Sequence, residues 1–192
     1  ALQGTYPPGS TFKLINALIA LQAGAITEYT NFSCNGYNGY GYGKDKHVGC
    51  HPHITPLNLT KGIEISCNAY FCNAYEKYFN TFNSSIEAYD NWYSHVSSFE
   101  IGDFMHNDFI VGSAGQLPKS TYFNTLYRGS WNANTIISMA IGQGELLLTP
   151  IQMANMTAIL ANRGYYYTPH IIKNISGGTA INSNFTTKKY CS

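Results

Sequence analysis

A serine and a lysine three positions apart form the most reactive pairing that the sequence offers. Ser10 and Lys13 lie in the stretch YPPGSTFK, directly ahead of an apolar run with helical spacing. At this separation both side chains share one face of a helix. A helix N-terminus favours negative charge and burial disfavours an ammonium, so a neutral Lys13 can act as the base for Ser10. The alternative is a capping serine beside a solvated lysine.

The composition describes a folded chain that carries little charge. The 192 residues are 44% hydrophobic and 11% charged, and the formal net charge is +1. Such a chain has no electrostatic footprint for nucleic acid, and we expect no nucleic-acid partner. No apolar run is long enough to span a bilayer. Because residue 1 lies in a predicted loop, we expect the chain to be a fragment of a longer protein.

Helical patterns predict that Ser10 and Lys13 lie at the start of one helix and that a second polar motif, at Ser66, lies at the end of another. The apolar spacing over residues 10–23 predicts a helix that is buried over much of its surface. Thr55-Pro56, an N-cap followed by proline, predicts a helix that leads to Ser66. The other predicted elements are helices at 69–80, 84–96 and 150–162, a short apolar run at 136–141, a strand at 165–175, and irregular segments at 31–53 and 98–132.

The motifs, taken in order, resemble those of the penicillin-binding proteins, the D,D-transpeptidases of bacterial cell-wall synthesis. GTYPPGSTFK resembles the nucleophile motif of that family, and Ser66-Cys67-Asn68 resembles its Ser-x-Asn motif. SMAIGQGELLLTPIQMANMTAILAN resembles the segment that runs from a Gly-Gln-Gly-Glu turn into a helix in monofunctional, elongation-type (class B) members. The resemblance implies an α+β fold of the serine β-lactamase/D,D-transpeptidase type. The chain would hold mostly its helical portion, without much of the antiparallel sheet.

The resemblance also implies roles for four residues. Ser10 attacks the D-Ala-D-Ala end of a peptidoglycan stem peptide, Lys13 takes the proton, and an acyl-enzyme forms. Ser66 relays the proton to the leaving nitrogen, and Asn68 contacts Lys13 and the substrate amide. β-Lactams mimic the same peptide end and acylate the same serine.

The turn Gly142-Gln143-Gly144 contributes three further candidates, for binding substrate. Its glycines predict a tight turn that lets backbone pack near the site. A phosphate-binding loop is the other interpretation, but neither a full Gly-x-Gly-x-x-Gly nor a Gly-Lys-Ser/Thr follows.

One motif of the family is missing. The chain contains no Lys-Ser-Gly or Lys-Thr-Gly, which in the family lies on a strand that lines the site. We therefore expect residues 1–192 to be a partial transpeptidase domain, truncated before that strand and poorly active alone. The resemblance places the full-length protein on the periplasmic face of the cytoplasmic membrane, anchored by an N-terminal helix absent from this chain. Its implied partners are a lipid II polymerase and other proteins of the elongation complex.

Two other functions stay open at this point. Oxacillinase-type serine β-lactamases and the related β-lactam sensor domains also carry Ser-Thr-Phe-Lys before Asn-Ala-Leu-Ile, as residues 10–19 do here. Against them stand Ser66-Cys67-Asn68, where they have Ser-x-Val, and the Gly-Gln-Gly-Glu stretch. A non-enzymatic scaffold domain that binds cell-wall or division proteins is the third class, and the intact polar motifs argue against it.

Cysteines and histidines are concentrated in one segment. Cys50, His51 and His53 lie in VGCHPHITP, and Cys34 lies sixteen residues before Cys50. Three interpretations remain: a Cys34–Cys50 disulfide in an oxidising compartment, a structural zinc site that uses these thiols and a histidine, and free thiols. We expect no other cofactor.

Overall fold

The computed structural model describes residues 1–41, 48–109, 111–176 and 180–192. The helices in these ranges are α1 (Lys13–Gln22), α2 (Leu59–Glu64), α3 (Asn68–Phe79), α4 (Ser85–Ser97), α5 (Ser120–Leu126), α6 (Pro150–Ala161) and α7 (Ser183–Thr186). Short 3₁₀ turns occupy Gly9–Phe12, Gly36–Asn38 and Ile137–Ile141. Strands β1 (Tyr165–Tyr166) and β2 (Lys189–Tyr190) pair antiparallel, with Tyr165 opposite Tyr190. None of the helices described is both long and apolar enough to cross a membrane.

The chain divides into two compact units. The larger unit comprises Pro8–Trp92 and Pro118–Glu145, and the smaller unit comprises Ala1–Pro7, Tyr93–Leu117 and Leu146–Ser192. Every residue with an assigned chemical role in the sequence belongs to the larger unit. The smaller unit is therefore described only briefly.

Helix α1 has one buried apolar face and one exposed apolar stripe. The predicted helix is confirmed from Lys13 onward, while Gly9–Phe12 form a 3₁₀ turn ahead of it. The inward side chains, Phe12, Ile15 and Ile19, are at most 4% exposed. The stripe, spaced for a single helical face, consists of Leu14, Leu18 and Leu21, which are 36–45% exposed.

Asn16 fixes the position of α1 within the larger unit. Its Nδ2 donates to the backbone oxygens of Met139 (3.1 Å) and Ala140 (2.9 Å) in the 3₁₀ turn Ile137–Ile141. Its Oδ1 accepts a hydrogen bond of 2.8 Å from Nε1 of Trp92 on α4. Both amide donors and the acceptor are thus satisfied, as burial of an amide requires.

Helix α3 packs against α1, α2 and the 3₁₀ turn Ile137–Ile141. Its prediction over 69–80 is confirmed, with bounds at Asn68 and Phe79. The contact with α2 depends on Gly62, because a Cβ there would lie 2.8 Å from the ring of Tyr70. A glycine at this position lets the two helices approach closely enough to be joined by a short turn.

In the smaller unit, α6 begins at a capping box. The Oγ1 of Thr149 accepts from the backbone N–H of Gln152, and the side chain of Gln152 accepts from the backbone N–H of Thr149. This confirms the helix predicted from Thr149-Pro150. The amide of Gln152 also donates to the backbone oxygens of Asp103 and Ala114, which ties two loop segments to the helix start.

The prediction of a helix beginning at Thr55-Pro56 is wrong. Helix α2 begins at Leu59, and the Oδ1 of Asn58 caps it by accepting from the backbone N–H of Lys61 at 3.0 Å. Thr55 instead accepts a hydrogen bond of 2.9 Å from the backbone N–H of Cys34. Its hydroxyl serves the loop that carries the cysteine and not the helix.

The strand predicted at 165–175 is also wrong beyond Tyr166. The backbone N–H groups of Ile171 and Ile172 donate to the carboxylate of Asp108 at 2.8–3.0 Å instead of joining a ladder. A β-rich composition cannot reveal that a distant carboxylate takes these donors.

Irregular structure is confirmed over the described part of 31–53, and positions 42–47 of that prediction lie outside the described residues. The segment 98–132 contains a helix that the prediction missed, α5. Helix α5 is short and its N-cap, Lys119, makes no side-chain capping hydrogen bond. The sequence therefore carries no start signal for it.

Gly142 packs backbone against backbone beside the turn that holds Ser10. Its carbonyl accepts from the N–H of Gly9 at 2.8 Å, and its φ is +69°. A Cβ at this position would lie 2.2 Å from the carbonyl oxygen of Gly9 and 2.7 Å from the Cβ of Phe12. The expectation of a tight turn packed near the site is confirmed.

We expect Gly142→Ala to destabilise the fold by roughly 2–5 kcal/mol, the sum of a left-handed alanine and an overpacked contact. Gly24→Ala is the matched control, because its φ is +67° and nothing lies within 4 Å of the added Cβ. Urea unfolding of both variants separates backbone conformation from steric clash. Equal losses of unfolding free energy would contradict the proposed clash.

Candidate functional site

The amine of Lys13 lies at the centre of a buried polar site. Lys13 is 2% exposed. Its Nζ donates to the Oδ1 of Asn68 at 2.6 Å, to the backbone oxygen of Ser66 at 2.8 Å and to the Oγ of Ser66 at 3.0 Å. We call these three residues the lysine site. The structure therefore brings together three of the four residues that the sequence singled out for catalysis.

The lysine site forms because two helix starts meet. Lys13 is the first residue of α1, and Asn68 is the first residue of α3. Between α2 and α3 the chain turns through Ser66, whose φ is +54°. This left-handed backbone directs both the hydroxyl and the carbonyl of Ser66 toward the amine. A non-glycine residue in this region is uncommon and often marks a functional position.

Ser10 precedes this site by one 3₁₀ turn. It lies in Gly9–Phe12, and its backbone oxygen accepts from the N–H of Lys13. Residues three apart are eclipsed in a 3₁₀ helix, so Ser10 is on the side of the turn from which the Lys13 side chain starts. Ser10 is exposed while Lys13 is buried. A nucleophile must be reachable by substrate and its base must be able to lose a proton, and exposure of Ser10 with burial of Lys13 meets both requirements.

Burial lowers the pKa of Lys13 below the ordinary value of 10.5, and the charges of Cys50, Cys67 and Cys72 offset part of this effect. An ammonium has three N–H donors, and the three acceptors at the site match them. A neutral amine has two N–H groups and one lone pair. The carbonyl of Ser66 and the Oδ1 of Asn68 can only accept, so they take the two N–H groups of a neutral amine. The lone pair is then free to accept a proton from a hydroxyl group, and the Oγ of Ser66 is the hydroxyl within 3.0 Å.

Three thiols and one imidazole form a second cluster beside the lysine site. The ligand atoms of Cys34, Cys50, His53 and Cys67 all lie within 4.8 Å of one another. The Sγ of Cys50 is 3.7 Å from the Nε2 of His53 and 3.9 Å from the Sγ of Cys67. We call these four residues the thiol cluster.

The thiol cluster differs from the predicted ligand set in two respects. Cys67 joins the cluster, whereas the sequence prediction counted it only as the middle residue of Ser66-Cys67-Asn68. The exposed His51 lies outside the four-residue group, although its Nδ1 is 3.9 Å from the Sγ of Cys50. The Cys34–Cys50 disulfide is not present, since both residues are free thiols here. The sequence signal that could have identified Cys67 is a cysteine placed between two polar motif residues.

Two of the thiols have opposite ionisation tendencies. Burial alone would raise the pKa of Cys50, but hydrogen bonds from His53 and from the N–H groups of Asn68 and Ala69 lower it to about 7. Burial raises the pKa of Cys67 to about 12. The Cys50 thiolate is thus stabilised at the start of α3, where helix N–H groups converge.

One side chain connects the thiol cluster with the lysine site. The Oδ1 of Asn68 accepts from Lys13, and its Nδ2 donates to the backbone oxygen of Gly49 at 2.8 Å. Gly49 adjoins Cys50, and Asn68 adjoins Cys67. The Asn68 amide is therefore hydrogen-bonded both to Lys13 and to the loop that carries Cys50.

Gln143 and Gly144 are exposed, while Gly142 is buried against the turn of Ser10. The backbone N–H of Gln143 donates to the carbonyl of Ser138 at 3.0 Å, which closes the tight turn. Binding of substrate by these three residues stays a prediction.

Comparison with known sequences gives a consistent likeness. A sequence profile of the penicillin binding protein transpeptidase domain matches residues 1–190. Peptidoglycan D,D-transpeptidase MrdA of Acinetobacter baumannii is 31% identical over 182 residues, which are 92% of this chain and 25% of that protein. The chain thus spans about a quarter of the length of this curated relative.

Solved structures give the same likeness. PBP2 of Pseudomonas aeruginosa superposes with a TM-score of 0.78 at 30% identity, covering 94% of this chain and 39% of that chain. A chain of a peptidoglycan synthase complex that coordinates polymerization and crosslinking superposes with a TM-score of 0.73 at 27% identity, covering 92% of this chain and 29% of that one. These matches confirm the predicted fold class, the helix-rich portion of a transpeptidase-like α+β fold.

We expect the amine of Lys13 to titrate below 10.5, because burial penalises its charged form. Between that lowered pKa and 10.5 the unfolded chain binds more protons than the native chain, so Lys13 makes the fold more stable as pH rises through this window. Carbon NMR of labelled lysine Cε atoms, assigned with Lys13→Met, measures the titration. A Lys13 signal that titrates at or above 10.5 would refute this.

Proposed function

Because the chain belongs to the penicillin-binding protein transpeptidase family, we propose that it carries the nucleophile, base and relay of an elongation-type peptidoglycan D,D-transpeptidase. The observation that carries this proposal is the buried amine of Lys13, held by Ser66 and Asn68 one turn after an exposed serine. A capping serine with a solvated lysine, the alternative interpretation of the motif, does not fit a lysine that is 2% exposed.

In the proposed first step Ser10 attacks the carbonyl of the penultimate D-alanine of a stem peptide. The hydroxyl proton of Ser10 goes to the lone pair of a neutral Lys13, whose two N–H groups stay on Asn68 and on the carbonyl of Ser66. The new bond joins the Ser10 oxygen to the carbonyl carbon, and the bond to the terminal D-alanine breaks. The leaving nitrogen needs one proton, which restores the neutral lysine for the next step.

Ser66 is the residue proposed to deliver that proton. Its Oγ lies 3.0 Å from the Nζ of Lys13, and a hydroxyl can accept one proton while it donates another. Asn68 orients Lys13 through its Oδ1 and contacts the substrate amide. In the second half-reaction the amine of a neighbouring stem peptide attacks the acyl-enzyme, gives a proton back to Ser10 through Lys13, and closes the cross-link.

The proposed partners follow from the family. D-Ala-D-Ala stem peptides are the substrates, and β-lactams acylate Ser10 in their place. The likeness to a chain of a complex that coordinates polymerization and crosslinking supports a lipid II polymerase and elongation-complex proteins as partners of the full-length protein. The proposed location is the periplasmic face of the cytoplasmic membrane. Curated relatives that are transpeptidases favour this function over the oxacillinase-type β-lactamase and the scaffold domain.

We also propose that the thiol cluster holds a structural zinc ion. Three thiolates and one imidazole are a common tetrahedral zinc set, in which Zn–S bonds of about 2.3 Å place neighbouring ligand atoms roughly 3.5–3.8 Å apart. The distances of 3.7 and 3.9 Å from the Sγ of Cys50 to His53 and Cys67 fit this geometry. The Nδ1 of His53 lies 3.0 Å from the carbonyl of Ile54 and must donate to it, which leaves the Nε2 lone pair for a metal.

A bound zinc ion would supply a fixed cross-link between α3 and the loop at Gly49–His53, and no step of acyl transfer passes through it. The residues that act on substrate remain those of the lysine site and Ser10. Cys34, Cys50, His53 and Cys67 would hold the ion, and Asn68 would receive its effect through Gly49.

We expect Ser10→Ala to abolish labelling of the complete protein by a fluorescent penicillin, a loss of at least about 1,000-fold, because no covalent bond can form. Ser94→Ala, an exposed serine on α4, should label normally. Labelling of native protein should rise with pH as Lys13 loses its proton. Undiminished labelling of Ser10→Ala would refute the assignment of the nucleophile.

Turnover of a chromogenic cephalosporin distinguishes the competing enzyme. A transpeptidase forms one stable adduct per chain, whereas an oxacillinase-type β-lactamase turns over many molecules. Sustained turnover would therefore overturn the proposed function in favour of the hydrolase.

The zinc proposal predicts different behaviour of two neighbouring histidines. His53→Ala should weaken zinc binding by more than the roughly 10–100-fold typical of outer-shell changes, since it removes a ligand. His51→Ala should leave zinc content unchanged, because His51 lies outside the four-residue group. Metal analysis after dialysis against a zinc chelator of graded concentration measures both. Equal zinc content in the two variants would contradict the ligand assignment.

A further inference from the structure

The buried pair Cys50 and Cys67 lies at the junction of the thiol cluster and the lysine site. We infer that this pair is a redox modification site, whose oxidation to a disulfide displaces Asn68 and Ser66 from Lys13 and suppresses acylation of Ser10. The inference rests on the proposed function for its activity readout only, since formation of the cross-link needs no catalysis.

The geometry selects this pair among the cysteines of the chain. The Sγ of Cys50 points at the Sγ of Cys67 from 3.9 Å, so the sulfurs must close by about 2 Å to reach the length of a disulfide bond. The thiol of Cys34 also lies within 4.8 Å of both sulfurs and donates to the carbonyl of Gly36, but its loop is not the one that is hydrogen-bonded to Asn68 through Gly49. Cys72 and Cys191 do not belong to the cluster.

The two sulfurs cannot close without disturbing their surroundings. The Sγ of Cys67 caps α3 by accepting from the N–H of Tyr70 at 3.3 Å. Closing the pair takes the sulfur away from this donor, or draws the loop at Cys50 toward α3, or both. The loop carries Gly49, whose carbonyl holds the Nδ2 of Asn68 at 2.8 Å.

Both residues that flank Cys67, Ser66 and Asn68, accept hydrogen bonds from the amine of Lys13. Ser66 holds a left-handed backbone with φ of +54° to place its two oxygens, and such a conformation persists only while its surroundings enforce it. A new covalent restraint on the next residue therefore changes the position of Ser66, Asn68 or both relative to Lys13. The base is then no longer oriented by its acceptors.

The chemistry balances with a two-electron oxidant such as hydrogen peroxide. One thiolate attacks a peroxide oxygen to give a sulfenic acid and hydroxide, and the hydroxide becomes water by taking up the proton that this thiol had released. The second thiol then attacks the sulfenic sulfur and releases a second water. Two thiols and one peroxide thus give one disulfide and two waters. Cys50 and Cys67 would hold a zinc ion through the same sulfur lone pairs that attack the peroxide, so excess zinc would protect the pair from oxidation.

The test uses the complete protein, treated with hydrogen peroxide in the presence of excess zinc or of a chelator. In chelator we expect the loss of two hydrogen atoms in mass and a peptide that links Cys50 to Cys67. We expect acylation by fluorescent penicillin to slow by about 10–100-fold, the effect of a displacement of roughly 1 Å near reacting groups. A thiol reductant restores the rate, and excess zinc suppresses both changes.

Cysteine-to-serine variants test whether Cys50 and Cys67 are the residues that form the cross-link. Cys34→Ser retains the pair and should still form the cross-link, Cys50→Ser should not, and Cys191→Ser should behave as native. A cross-link that involves Cys34, or a Cys50–Cys67 cross-link with no effect on acylation, overturns the inference. Absence of acylation in the reduced native protein overturns the proposed function instead, and the mass measurement still reports on the disulfide.

Discussion

A buried lysine amine needs hydrogen-bond acceptors, and this requirement organises the larger unit. The acceptors of Lys13 belong to Ser66 and Asn68, which lie 53 and 55 positions after it in the chain. The first residue of α1 and the first residue of α3 must therefore lie side by side. This requires that α2 and α3 approach closely at Gly62 and that Asn16 anchors α1. In the same unit the rings of Tyr75 and Trp92 pack edge to face, with their centroids 6.1 Å apart.

The lysine site and the thiol cluster are built from one short piece of backbone. Residues 66–68 supply two acceptors to Lys13 and, between them, a thiol to the cluster. Local structure explains this division, because a left-handed residue followed by a helix start sends successive side chains in different directions. The lysine site and the thiol cluster are consequently linked by adjacent residues in the chain as well as by the two hydrogen bonds of the Asn68 amide.

Much of the site could be predicted from residue types and order. The Ser10 and Lys13 motif and the tight turn at Gly142 carry local signals, namely helix spacing and glycines, whereas Ser66-Cys67-Asn68 is identified by its resemblance to the Ser-x-Asn motif of the family. The predictions that were wrong are those in which two neighbouring residues carry the same local signal. Thr55 and Asn58 are both good caps, and only the distant N–H of Cys34 decides which one is free to cap α2. His51 and His53 lie two positions apart in the same loop, and the sequence does not indicate which of the two side chains faces the cysteines.

Ser66 shows how backbone conformation restricts the choice of side chain. A threonine there would supply the same hydroxyl, but a β-branched residue is strongly disfavoured at a φ of +54°. Alanine would tolerate the turn no better than serine does and would remove the oxygen that faces Lys13. The choice of side chain at this position is thus restricted by the torsion angle and by the need for an oxygen 3.0 Å from the Nζ of Lys13, and serine is the smallest side chain that meets both requirements.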